Sequence, residues 1–423
     1  MKKIIIIASV LILTILGYMI IAGMIEKNVQ QSVQERITDL TNHGFDIEKI
    51  KKDQKSDHYI LTFKDMQKIT PFIQGFNVKL SANTIDALQD MQIALDVQNN
   101  HGFLDDIKIE IYPIKLPSEM KNSLKADELK AIEQHLKQKT FMLYLSFDKS
   151  LSDFKGHLQD IDIKELKKEL KIQGDTFNGK IKGGKIISYE ENIKEFCFKA
   201  GEKNIVKFSD MYTAKRTQGK DTLEKHYTLK AKTFFMALQE SNATIDNLDV
   251  DFSWIANDTT VDASVKGTLG ALALNNKDQM RAFEGIILDV DIKNINQTLI
   301  SKINKNKLKD IDEFSKLMSA KNPIVTINTF EAKKIKQDKV STEGFQIQGE
   351  IISDASKSSD QDIYKSLMIN GKLTLSKSLF DLLSQNPSMD ILFMLIPQEE
   401  KENYYIFDIY YDDTLTVNTE RIL

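Results

Sequence analysis

The stretch Gly179–Ile186, GKIKGGKI, comes within one letter of the phosphate-binding pattern G-x-x-x-x-G-K-[ST]. Such a loop works because backbone amides hold the phosphates, lysine neutralises them and the closing hydroxyl binds Mg²⁺. Here Ile186 stands in the hydroxyl position and cannot ligate a metal. The continuation Ile186-Ile187-Ser188-Tyr189 reads as a strand rather than the opening of a helix, so the stretch is expected to be a hairpin. No nucleotide and no other cofactor is expected. The six histidines, His43, His58, His101, His135, His157 and His226, are scattered without an H-x-x-x-H pair. Cys197 is the only cysteine, so no zinc site is expected and no intramolecular disulfide can form. Serine elbows of the G-x-S-x-G kind are absent, although a triad assembles in space and not in sequence. The pairs Asp105-Asp106 and Asp412-Asp413 carry the chemistry of Ca²⁺ ligands or of an acid–base couple. In a chain with 61 acidic residues they read as turn residues. Glu240-Ser-Asn-Ala-Thr244 fits the extended acceptor D/E-x-N-x-S/T of some bacterial glycosylation systems, which would modify Asn242. No catalytic, cofactor-binding or metal-ligating residue is assigned.

The elements that would position any site come next. Residues Ile4 to Ile25 form an uncharged run of 22 after Lys2 and Lys3. A helix of that length rises about 33 Å, enough for a hydrocarbon core of about 30 Å. Its apolar part is longer than a signal peptide requires, so a retained membrane anchor over residues 1–25 is expected, with the N-terminus cytoplasmic. Ile25, Val29, Val33, Ile37 and Leu40 continue at helical spacing, which predicts an amphipathic stalk over 26–44, stopped at Asn42-His43-Gly44.

Beyond Gly44 the dominant period is two. Leu248, Val250, Phe252 and Trp254 alternate with Asp249, Asp251 and Ser253, and Val261, Ala263, Val265 and Leu269 resume after a turn. Strands of this kind bury one face and wet the other, which suits antiparallel sheet. A helix is predicted over Pro117–Gln138, and a strand–cap–helix unit recurs at Phe76–Met91, Leu288–Ile303 and Asn370–Leu383. The polar run Thr213–Glu224 is taken as the boundary between two lobes, 45–215 and 216–423. The apolar run Ile391–Pro397 is too short to span a membrane and is expected in a core, although an exposed Phe393/Met394 surface could receive a lipid or partner. The expected fold class is α+β: one transmembrane helix, then a β-rich body of long, mainly antiparallel strands with a few amphipathic helices.

With 57 basic and 61 acidic residues spread along the chain, there is no electrostatic footprint for nucleic acid. The C-terminal Tyr405–Asn418 (YIFDIYYDDTLTVN) resembles the closing strands of the YdgA-like bacterial family, which end in a Tyr/Ile alternation, a D-G-like turn and L-T-V-N-G. The N-terminal Lys-Lys, the apolar span, the exit through Gly23, Ile25, Glu26 and Lys27, and Gly44-Phe45 are similar too. Asp413 and Thr419 stand where that family has glycine. The resemblance implies a single-pass inner-membrane protein facing the periplasm and transfers no catalytic residue. The function expected is therefore non-catalytic: binding an envelope partner or a lipid. A periplasmic hydrolase whose residues converge only in the fold is the alternative.

Overall fold

The computed structural model describes residues 29–51, 56–74, 85–99, 107–148, 150–165, 168–183, 185–201, 204–218, 224–276, 279–304, 311–354 and 366–422. The chain divides into two compact units, Met1–Gly201 and Glu202–Leu423. The Thr213–Glu224 run does not mark that division, because its described residues are built into two neighbouring strands of the second unit.

The first unit opens with α1 (Val29–Asn42), whose Leu40 is buried. The strands β1 (Phe45–Lys51) and β2 (Ser56–Phe63) follow, then α2 (Met66–Gln74), β3 (Gln92–Asn99) and β4 (Ile107–Lys115). Next come α3 (Ser118–Ser123) and α4 (Ala126–Lys137). The single helix predicted over this stretch is broken at Leu124-Lys125, where the Lys125 amide donates to Glu128 Oε2 at 3.2 Å and starts a new helix. The strands β5 (Leu143–Phe147), β6 (Asp153–Leu158), β7 (Ile161–Glu165), β8 (Lys168–Gln173), β9 (Thr176–Lys182) and β10 (Lys185–Ala200) complete the unit. Every described pairing is antiparallel, from β1–β2 through to β9–β10. β6 and β7 act as one interrupted strand against β8 and β9, since β6 pairs β9 and β7 pairs β8. The buried face carries Tyr59, Leu95, Ile111, Leu143 and Leu158 in cross-strand register, with Ile69 and Ile73 of α2 and Ile132 and Leu136 of α4 in the same cluster. Each such side chain is worth about 2 kcal/mol of transfer free energy.

The second unit is again an antiparallel meander, with much longer strands. They are β11 (Asn204–Gln218), β12 (Glu224–Leu238), β13 (Ser241–Ala256), β14 (Thr260–Asn276) and β15 (Gln279–Asn296). After α5 (Gln297–Asn304) and α6 (Ile311–Ser319) come β16 (Ile324–Gln337), β17 (Val340–Ser353) and β18 (Leu367–Ser376). Then α7 (Lys377–Ser384) and α8 (Pro387–Leu395) precede β19 (Glu399–Lys401), β20 (Tyr404–Asp412), β21 (Leu415–Val417) and β22 (Glu420–Arg421). Two of the strand–cap–helix units are realised, with Asn296 Oδ1 accepting from Thr298 N at 2.9 Å and Ser376 Oγ accepting from Leu379 N at 3.1 Å. The first unit of that kind lies largely outside the described residues.

The α+β expectation is corrected. Among the described residues strand far outweighs helix, and within each unit the helices from α2 onward sit in connections between antiparallel strands, so the class is mainly β. β15 alone runs 18 residues, about three times an ordinary strand. Among the described residues no helix is long and apolar enough to cross a membrane. The anchor limits Ile4 and Ile25 lie outside the described residues.

A crease interrupts the second sheet along one transverse line. Register pairs skip at Lys232, Asn247, Gly270, Gly285, Lys333 and Gly344, so that neighbouring strands from β12 to β17 break together. Asn247 and Gly285 take left-handed φ of 50° and 62° there. Across the line the apolar residues step by three instead of two: Phe234 to Ala231, Ile245 to Leu248, Leu272 to Leu269, Phe283 to Ile286, Ile335 to Ala332. The step keeps them on one face. Ile335 beyond the crease and Phe345 before it both pack on the same cluster of Leu375, Leu379, Phe393 and Phe407.

Candidate functional site: an apolar floor in the second unit

Cross-strand partners in an antiparallel pair share a face. In the second unit they compose unbroken apolar rows: Leu229, Val250, Gly267, Leu288, Phe330 and Ile347, then Tyr227, Phe252, Val265, Val290 and Ile327. The residues directly beside them in sequence build the opposite face, with Lys230 and Asp249 bonded at 2.8 Å and Lys266 and Asp289 at 3.2 Å.

Helices cover this apolar face at two places. α5 and α6 bring Leu299, Ile300, Leu317 and Met318 onto Trp254, Val261, Ala263, Ile292 and Ile295. α7 and α8 bring Leu379 and Phe393 onto Leu375 and Phe407, with Phe393 stacked on Phe380 at 4.2 Å. The rows from β12 to β16 belong to neither cluster in their middle, and Tyr227, Phe252, Val265, Leu288 and Val290 are only half-buried. Leu229 is 39% exposed. The result is an apolar floor bordered by two helical pairs. The Ile391–Pro397 run is core on one side only: Phe393 is buried, whereas Met394 is 74% and Leu395 66% exposed.

Two lysines lie on the floor's own face at the β11–β12 side. Lys215 is opposite Tyr227, and Lys225 is opposite Trp254. Lys225 Nζ stands 4.8 Å from the centre of the Trp254 ring. Burial, and after it the charge of Lys225, hold the Lys215 ammonium below the usual lysine range. Among the described residues neither lysine has a carboxylate within ion-pair distance, and the buried Trp254 indole N–H has no hydrogen-bond acceptor among them either.

The opposite, polar face of β11–β14 carries a concavity of about 480 Å³ that includes Arg216, His226, Lys230, Asp251, Ser253 and Ser264. His226 Nε2 is 2.8 Å from Glu224 Oε1, and Ser253 is its cross-strand partner. An acid, an imidazole and a hydroxyl thus gather as the hydrolase alternative requires. The amides of β12 and β13 are committed to the ladder, so any donors to a reacting group here would be side chains such as Arg216 and Lys230.

The first unit holds a second polar group that sequence reasoning did not single out. His58, Asp96, Glu110, Tyr144 and His157 form one transverse row on the face away from the core. The buried Asp96 is bonded to His58 and accepts from Tyr112 OH at 2.8 Å, with Lys139 Nζ 3.8 Å away. Lys139 also lies 3.9 Å from the centre of the Tyr112 ring, and burial followed by the Asp96 bond pushes the Tyr112 phenol up. His157 stacks on Tyr144 at 4.4 Å. The signal for this row was the single Asp96 within the apolar run of β3, a charge that must find partners when buried.

The other motifs resolve locally. GKIKGGKI is the β9–β10 hairpin, with Lys185 opposite Lys182. Gly179 is demanded by packing, since a Cβ there would meet Ser188 O at 2.3 Å and the Phe154 ring at 2.5 Å. His43 stacks on Phe72 at 3.9 Å and His135 Nδ1 lies 3.2 Å from Thr140 Oγ1, while His101 and Asp105-Asp106 lie outside the described residues. Cys197 is buried in β10. Among the described residues no three or more His, Cys, Asp or Glu cluster as metal ligands. Asn242 Oδ1 accepts from Asn275 Nδ2 at 2.7 Å. Asp412-Asp413 closes the turn from β20 to β21. No family model, curated protein or solved structure matches the chain, so the YdgA-like resemblance stands on the residues quoted for it alone.

Proposed function

We propose that the second unit holds the acyl chain of a lipid on its apolar floor, as a non-catalytic protein of the cell envelope. The observation that carries this reading is the pair of apolar rows crossing β12–β16, half-buried, with no helix of either cluster over their middle. A sheet that buried this face in its own core would resemble the first unit, where the equivalent row from Tyr59 to Leu158 is buried throughout. Removing a flexible hydrocarbon chain from water favours such a surface by about 25 cal/mol per Å². Neither a metal nor a nucleotide is needed for that role, and the balanced charge offers nothing to nucleic acid.

The test uses the delipidated full-length protein in detergent and the methyl ester of cis-parinaric acid, a neutral polyene chain. Trp254 borders the floor and is the chain's only tryptophan, so its emission should transfer to the bound polyene. Val290→Asp, which places a charge in the middle row, should weaken binding at least tenfold, as a desolvated carboxylate requires. Absence of saturable transfer in the native protein would end the reading.

A further inference from the structure

We infer that the ligand of the floor is an anionic amphiphile, whose head group is held between Lys215 and Lys225. The inference rests on the acyl-chain reading and adds the charge and the place of the head group. Lysine on the apolar face of a sheet is unfavourable unless its ammonium reaches water or a counter-charge. Here two of them sit on adjacent strands, at diagonal positions of the same face, about 7 Å apart at the backbone. Like charges that close repel, and the described residues supply no carboxylate to relieve them. The Glu and Asp side chains of these strands do not answer the need: Asp249, Asp251 and Asp289 occupy the polar face, where Lys230, Thr228 and Lys266 bond them.

The surroundings match an amphiphile in order as well as in charge. Tyr227 and Trp254 stand directly opposite the two lysines, and Phe252, Val265 and Val290 continue from Tyr227 into the floor. A carboxylate or phosphate at the lysines would therefore lay its chain along the rows. The indole N–H of Trp254, buried without a partner among the described residues, belongs to the ring that Lys225 faces and adds a third donor beside the two ammoniums. A neutral lipid would leave both ammoniums as they are; an anion would compensate both.

The experiment compares cis-parinaric acid with its methyl ester on the delipidated full-length protein, reading the probe's own emission as it enters apolar surroundings. The acid should bind roughly tenfold more tightly than the ester, the scale of a charge-assisted pair in partly buried surroundings. The double variant Lys215→Gln/Lys225→Gln should erase that preference while leaving ester affinity within about twofold of native. Lys230→Gln, on the polar face, should leave the preference intact. Equal affinity for acid and ester in the native protein overturns the head-group inference and leaves the floor standing. A preference that survives in the double variant overturns it as well. If neither probe binds, the floor reading fails and takes this one with it.

Discussion

At Thr419 a β-branched side chain is held at φ 70°, and at Asp413 the chain again turns left-handed, at φ 56°. These are the two positions where the YdgA-like pattern has glycine, and the geometry gives the reason glycine would suit them. Thr419→Gly should raise stability by about 1 kcal/mol, measured by urea denaturation, because the strain relieved exceeds the entropy added to the unfolded chain. A loss of stability would mean that the Thr419 Oγ1 bond to Asn418 O at 2.6 Å outweighs the strain. Asp175 makes a different prediction. Burial, and secondarily the charge of Glu191, push its carboxyl up to about 7, and its Oδ1 is buried without a partner among the described residues. Between about pH 4 and 7 the unfolded chain has released this proton while the folded chain keeps it, so stability falls as pH rises across that window and levels off above. Asp175→Asn should therefore gain roughly 2 kcal/mol at pH 8 and little at pH 4, a difference that thermal melts across pH would reveal. A gain independent of pH would sink the assignment. Asp175 is not marked in the sequence, because a desolvated carboxyl is a property of the surroundings.

The crease is the decisive element of the second unit. A strict period of two over β12 to β16 would carry half of each long strand's apolar residues to the wet face. The three-residue step prevents it, and Asn247, Gly270, Gly285 and Gly344 lie in that step. This much was legible: Ile245 to Leu248 and Phe283 to Ile286 break the alternation at a glycine or asparagine, which is the signature of a bulge. What the letters do not give is that the breaks align across strands, since register depends on the lengths of hairpins closed elsewhere. Two of the three glycines of the line differ in a way that can be measured. At Gly344 a Cβ would lie 1.6 Å from the Ala332 carbonyl oxygen, a backbone atom that cannot move alone. At Gly285 it would meet only the flexible Lys333 side chain at 2.9 Å, in addition to the strain of φ 62°. Gly285→Ala should cost about 1–2 kcal/mol and Gly344→Ala at least twice as much, by chemical denaturation. Equal costs would mean that the sheet relaxes at the crease instead of holding it.

Across the molecule, the sequence yielded antiparallel strands, because wet-and-dry alternation is written residue by residue along β4, β13 and β14. It did not yield the class, because the amphipathic stretches read as a helical component of an α+β body, and the structure confines those helices to connections. Nor did it yield the floor: the residues of the rows are ordinary strand hydrophobes, and only their register, together with the places where helices stop, distinguishes an open face from a core. Lys215 and Lys225 looked like any two of 57 basic residues until pairing put them opposite Tyr227 and Trp254. If the floor holds a chain, the two units must respond to it unequally. A ligand that binds only the folded second unit, supplied at about 100 times its dissociation constant, stabilises that unit by about 2.7 kcal/mol. For a unit of this size that is a rise of roughly 5–10 °C in its midpoint. Hydrogen exchange followed by mass spectrometry through a thermal ramp separates the units by peptide. With cis-parinaric acid present, peptides from β12 to β15 should open several degrees later, whereas peptides from β2 and β4 should open as before. A shift confined to the first unit would move the search to the row from His58 to His157. No shift in either would leave the apolar floor as a surface for another protein, because an apolar face of this extent on a folded chain still requires a cover.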